Sequence, residues 1–310
     1  MPMKYYLLET DDLPGTGAET DNRDLPRDSV TKCLIFDAAA QTNGTSAGTR
    51  LTQTAQLDQL RIGAVESNRV GEVDGEDLDA FNVLMGNYTF LDTAAVNNSR
   101  LSWGMVWPTD PFCIGHNQDL SQSFGIPGAV ARKVEFLYAA DVVTDAGLAI
   151  DTKRLAIGII TSSGSSNGYL TFTRNTFTGA TGGVNTFTTI PTPGKLLGVL
   201  NFETTSAADI TTDGDNRSTQ SIRQQAITIG RKDVAGPIYT TTAGYIQGSY
   251  EIGALSDEGF SFWNLGIRNE VGPLGIPTTG SIPRDMEIRT STGAADAIRV
   301  YGVILNTNVT

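Results

Sequence analysis

The segment Glu66-Ser67-Asn68-Arg69-Val70-Gly71-Glu72-Val73-Asp74-Gly75-Glu76-Asp77 comes nearest to a metal site in this sequence. Set against the loop of a calcium-binding helix–loop–helix, Glu66 takes the first position, Asn68 the third, Gly71 the sixth, Asp74 the ninth and Asp77 the twelfth. Calcium gathers six to eight oxygen ligands, and carboxylates and amides at these spacings would supply several. The fit is incomplete, because the loop opens on Glu and Val70 stands where an oxygen is needed. An acidic turn capping a short helix explains the same residues, and that reading is preferred. Asp213 and Asp215, in Asp213-Gly214-Asp215-Asn216, form a second acidic cluster. It is a candidate for a hard cation, and equally a tight turn of the kind Asp-Gly favours. Any calcium held here would be structural, bridging subunits. No other cofactor is expected.

The remaining catalytic chemistries find no residues to run them. The one histidine, His116, sits in the turn-like Gly115-His116-Asn117-Gln118-Asp119, and neither a His-based triad nor a His-rich zinc site assembles around it. Cys33 and Cys113 lie among apolar neighbours and read as buried thiols. Gly179-Ala180-Thr181-Gly182-Gly183 lacks the lysine and helix start of a phosphate loop. Trp103, Trp107 and Trp263 could stack on sugars, but core or interface packing is the simpler role. No pair of acids is marked out for glycoside hydrolysis. The chain is therefore expected to have no catalytic residue and not to be an enzyme.

Composition narrows the partners. A net charge of −12 and scattered Lys and Arg argue against direct nucleic-acid binding, which relies on clustered cations to displace phosphate counterions. No apolar run approaches the ~20 residues of a membrane-spanning helix. Met1–Glu9 turns acidic before a signal-peptide core could form.

The elements that must position these residues are mainly strands. Short runs rich in Val, Ile, Thr and aromatic residues, such as Lys32–Phe36, Lys133–Tyr138, Leu155–Ile160 and Ile298–Leu305, alternate with Gly, Pro and Asn. That texture predicts an all-β chain of sandwiches or barrels. Two short helical insertions are expected. Asp77–Met85 places Leu78, Phe81 and Met85 on one stripe with acids in its first turn, and Ser218–Gln225 is a weaker second. Residues 1–30, polar and broken by proline, read as an extended N-terminal arm. Thr161–Gly168, rich in Ser and Gly, reads as a flexible linker.

Landmarks recur in the same order in both halves. Leu60-Arg61-Ile62-Gly63 resembles Ile227-Thr228-Ile229-Gly230. Trp107 followed by Gly125-Ile126-Pro127 resembles Trp263 followed by Gly275-Ile276-Pro277. Arg132–Phe136 resembles Arg284–Ile288. Their collinearity predicts an internal duplication. Two alignments compete for the boundary: Thr152–Leu155 opening the second half as Thr31–Leu34 opens the first, or Arg154–Ile160 closing the first half as Arg299–Leu305 closes the second. The second is preferred, which gives an arm over 1–30 and domains over 31–162 and 163–310.

On these paired landmarks, the insertion at Asp77–Met85 and the Gly/Thr-rich loops Thr173–Gly183 and Thr240–Gly248, the chain resembles the double jelly-roll major capsid proteins of tailless icosahedral viruses, especially phages with an internal membrane. The resemblance implies two tandem jelly-roll sandwiches and pseudo-hexameric homotrimers. It also implies self-assembly into an icosahedral shell around a membrane vesicle and genome. Implied partners are copies of the chain in the trimer and in neighbouring capsomers, penton and minor capsid proteins, and the internal membrane. The implied location is the virion, after synthesis in host cytoplasm. A carbohydrate-binding or adhesin-like sandwich, as in a receptor-binding appendage, is the alternative.

Overall fold

The structure, a computed structural model, describes residues 3–13, 19–42, 57–64, 68–84, 90–91, 100–108, 124–128, 133–138, 150–178, 184–187, 194–204, 222–229, 232–239, 260–264, 276–277, 284–290 and 297–306. Among them the chain is strand apart from one short helix, and it divides into two compact units, Met1–Leu170 and Thr171–Asn308.

The first unit contains β1 (Met3–Leu13), β2 (Glu19–Asp24), β3 (Val30–Thr42), β4 (Leu57–Ala64), β5 (Asn68–Val73), α1 (Gly75–Leu84), β6 (Phe90–Leu91), β7 (Arg100–Pro108), β8 (Ile126–Pro127), β9 (Lys133–Tyr138) and β10 (Ile150–Ser162). Its first sheet runs β1-β10-β3-β7-β6, with β8 attached to β3, and its second runs β2-β9-β4-β5. Apart from the short β6 and β8, eight strands remain. In chain order the first sheet reads first, eighth, third, sixth, and the second reads second, seventh, fourth, fifth. An eight-stranded, two-sheet arrangement of this kind is a jelly roll.

The second unit repeats it. β11 (Tyr169–Thr178), β12 (Val184–Phe187), β13 (Lys195–Thr204), β14 (Ile222–Ile229), β15 (Lys232–Tyr239), β16 (Phe260–Asn264), β17 (Ile276–Pro277), β18 (Arg284–Thr290) and β19 (Ala297–Asn306) form sheets β11-β19-β13-β16 and β12-β18-β14-β15, with β17 attached to β13. Each strand takes the place of its counterpart. The repeat extends to register. Pro127 and Trp107 pair with Val30 and Leu34 of β3, and Pro277 and Trp263 pair with Lys195 and Val199 of β13, the same interval apart. A one-residue slip would send every side chain to the opposite face, so matched register means matched faces.

In the first unit the core lies between the sheets. Leu34 and Phe36 of β3, Trp107 of β7 and Ile159 of β10 are fully buried from one side, and Leu60, Ile62, Val73 and Val134 from the other. Helix α1 packs against β4 and β7 and adds Leu78 and Phe81.

Four expectations change. The N-terminal segment is not set apart as an arm: β1 pairs with β10 and β2 with β9, so it supplies one strand to each sheet of the first unit. Alternation such as Tyr5, Leu7 was masked to sequence reading by the flanking Asp, Gly and Pro. Of the expected helix Ser218–Gln225, residues from Ile222 on belong to β14, where pairing with β15 and β18 overrides a weak helical period. The expected loop Thr173–Gly183 is strand as far as Thr178. Of the expected linker Thr161–Gly168, Thr161 and Ser162 belong to β10. The loop Thr240–Gly248 lies outside the described residues.

Candidate functional site

Of the candidate ligands Glu66, Asn68, Asp74 and Asp77, the last two have described side chains. Asp74 ends the turn after β5, and its carbonyl accepts the first helical hydrogen bond, from Leu78 N at 2.9 Å. That makes Asp74 the N-cap of α1, a position that favours Asp because its side chain can accept from the free amides of the first turn. Its Oδ1 also accepts from Gln59 Nε2 at 3.3 Å. Asp77 lies within the first turn and is fully buried, and Asp79 nearly so. Carboxylates there complement the positive end of the helix dipole. Asn68 opens β5, paired with Ala64, and residues 68–73 are a strand beside β4. The backbone is thus strand, cap and helix, where a calcium loop would lie between two helices. Glu66, Asp213 and Asp215 lie outside the described residues. Among the described residues no group of three or more His, Cys, Asp and Glu is placed to hold a metal ion.

Trp107 is fully buried in the core, and the backbones of Trp103 and Trp263 lie in sheet strands paired with Ala38 and Val199. Cys33 is a buried free thiol. Desolvation pushes its pKa up to about 12, against a smaller lowering by the Ile160 backbone. His116, Cys113 and Gly179–Gly183 lie outside the described residues.

Sequence reasoning made no reading of the outer faces of the two sheets of the first unit. On the second sheet the outer face is charged. Arg61 pairs across to Glu72 and Glu135, with ion-pair distances of 3.9 and 3.5 Å. The first sheet is different. Cross-strand partners point to the same face, so the register sets out one row Tyr5, Ile160, Cys33 and a second row Leu7, Gly158, Ile35. Both rows are apolar from β1 to β3. At their β1 end Tyr5 is 61% and Leu7 56% exposed, and the Tyr5 ring lies over Gly158, where a Cβ would have to displace the ring end. The signal was present in β3: Cys33-Leu34-Ile35-Phe36 is a continuous apolar run, and continuous runs belong to sheets covered on both faces. In the second unit the first sheet is buried on both faces at β13 and β19, where successive residues Val199 and Leu200, and Val300 and Tyr301, are fully buried.

No family model matches the chain, and no curated protein does. Solved structures do. The major capsid protein of STIV, the Sulfolobus Turreted Icosahedral Virus, superposes with a TM-score of 0.72 at 10% identity, covering 100% of this chain and 98% of that one. The PBCV-1 virus capsid matches with a TM-score of 0.69 at 10% identity, covering 98% and 93%. The major capsid protein P2 from bacteriophage PM2 matches with a TM-score of 0.64 at 11% identity, covering 99% of both. The matches span both units, and the chain has the double jelly-roll fold of these capsid proteins.

Proposed function

We propose that the chain is a major capsid protein, a structural subunit that forms pseudo-hexameric homotrimers and tiles them into an icosahedral shell enclosing a membrane vesicle and genome. The observation that carries this is the duplication in register. A chain made of two sandwiches with the same strand order gives a three-fold assembly six similar lobes, which suit a hexagonal lattice. The exposed Tyr5 and Leu7 of β1 add apolar surface that association between copies would cover. The solved structures with this fold are capsid components, which supports a role without catalysis. Penton and minor capsid proteins and the internal membrane are its proposed neighbours, the virion its place, and host cytoplasm its site of synthesis. An acidic chain that leaves the genome to the vesicle has no need of a basic arm. Calcium at Glu66, Asn68, Asp74 and Asp77, or at Asp213 and Asp215, belongs to this proposal only as a subunit-bridging ion.

Mass in solution tests it. The expected species is a trimer, three times 33.0 kDa, without affinity for simple glycans. A stable monomer that binds a sugar would overturn the proposal in favour of an adhesin-like sandwich.

A further inference from the structure

Residues 162–168, Ser-Ser-Gly-Ser-Ser-Asn-Gly, have the composition of a flexible tether and carry the chain from the last strand of the first sandwich to the first strand of the second. Their geometry is that of a strap with a bound foot. Ser163, Gly164, Ser165 and Asn167 are exposed, while Thr161 and Ser162 before them and Gly168, Tyr169 and Leu170 after them are buried. Gly168 is held through both backbone groups: its carbonyl accepts from Gly125 N at 2.8 Å, and its own N–H donates to Ser166 Oγ at 3.2 Å. The Ser166 hydroxyl lies 2.5 Å from the Gly125 carbonyl and 2.8 Å from the Gly168 carbonyl. One side chain thereby joins both glycines.

The other partner is itself anchored. Gly125 belongs to the segment Phe124–Gly128, which β8 ties to β3 through Val30↔Pro127 and Thr31↔Ile126, and which Gly128 N ties to Ser29 O at 3.0 Å. Lys32, buried where the β3–β10 register slips, donates from Nζ to the Phe124 carbonyl. Neither glycine is replaceable without strain. Gly125 has φ +147° and Gly168 φ +153°, conformations that L side chains rarely adopt. A Cβ at Gly125 would also fall 2.6 Å from Val30 Cγ1 and 2.7 Å from the Thr31 carbonyl.

From this arrangement we infer that Ser166, Gly125 and Gly168 form a clasp that fixes where the chain leaves the first sandwich, holding residues 166–168 to β3 through the Phe124–Gly128 segment. The clasp lies wholly within the first unit and stands independently of the coat reading.

The full chain tests it by hydrogen exchange and limited proteolysis. In the unaltered protein the Gly125 and Gly168 amides should be protected relative to the exposed Ser165 and Asn167, and proteinase K should spare residues 163–168. Ser166→Ala should speed cleavage within 163–168 by roughly tenfold, the factor expected when a hydrogen bond of ordinary net strength no longer holds a segment closed. Protection of β3 should stay unchanged. Gly168 exchanging as fast as Asn167 in the unaltered protein would overturn the clasp, whatever the variant does. So would Ser166→Ala cleavage no faster than that of the parent, or faster only in step with unfolding of β3.

Discussion

Replacing Asp74 separates a helix cap from a metal ligand. Asp74→Ala removes the N-cap side chain of α1, a loss of about 1 kcal/mol in most helices. It also removes the Oδ1 acceptor of Gln59 Nε2 at 3.3 Å, in a place where Gln59 is 7% exposed and water is a poor substitute. Leaving that donor short of an acceptor adds about 1 kcal/mol. The combined cost is about 2 kcal/mol. For a unit the size of Met1–Leu170 each kcal/mol moves Tm by about 2–4 °C, so Tm should fall by about 4–8 °C in scanning calorimetry. Asp74→Asn keeps a side-chain oxygen that caps as well as Asp, and its Tm should fall by less than half as much. Calcium and chelator should leave all three proteins unmoved. A bound ion at a hundred times its Kd would add about 2.7 kcal/mol, a rise too large to overlook. A calcium-dependent rise in the parent that is absent in Asp74→Asn would refute the cap and restore the metal reading.

Two further outcomes follow from packing and burial. A Cβ at Gly128 runs into the Pro26 carbonyl and comes within 2.5 Å of the Arg27 carbonyl, both backbone, whereas a Cβ at Gly158 meets only the ring end of the exposed Tyr5. Denaturant titration should therefore show Gly128→Ala losing at least about 2 kcal/mol and Gly158→Ala less than about 1 kcal/mol; equal losses would contradict the placement of β1 on β10. Cys33, with its pKa raised from 9.0 to about 12, should resist a thiol reagent at pH 8 until the protein unfolds, as read by mass mapping. Because the folded value lies above the unfolded one, the thiol's stabilisation is complete below pH 9 and declines as pH rises toward 12. Cys33→Ala should flatten that decline.

How much of this was legible in the sequence depends on which signal each feature leaves. Turn residues and apolar runs mark strands locally, so β3, β9, β10 and β19 fall on the expected runs. Gly-Ile-Pro was legible for a further reason. Proline cannot donate to a ladder, so Ile126-Pro127 and Ile276-Pro277 each make a two-residue strand capped by the proline at the start of β3 or β13, and this use leaves a sequence mark in both halves. The N-terminal strands left a weaker one. Asp11, Asp12, Asp21 and Asp24 disguise them, because edge strands carry charge to discourage further pairing. The clasp was illegible for the opposite reason: Ser and Gly supply both flexible tethers and tight hydrogen-bonded turns, and only the partner at Gly125, distant in sequence, distinguishes them. An acidic turn capping a short helix was legible, since cap and helix are adjacent in the chain, although the helix begins at Gly75 and not at Asp77.

The two halves also show how one fold can be built when identity to solved structures that share it is near 10%. Between β3 and β13, Val30 corresponds to Lys195 and Leu34 to Val199, so the side chains are not held in common even within one molecule. What is held is the interval between the proline partner and the tryptophan partner, which keeps the same face inward. A shift by an even number of residues preserves that face as well. Ile62 pairs with Val134, whereas Ile229 pairs with Arg284, the counterpart of Arg132. The second pairing is displaced by two positions, and the pleat returns each side chain to its own side. A sandwich thus tolerates replacement of nearly every residue, and even slips of two, provided parity is kept. The sites where parity alone is insufficient, Gly125 and Gly168 among them, are those where the backbone itself has a conformation that other residues rarely take. Substitutions should therefore be best tolerated along the strands and worst at these few glycines.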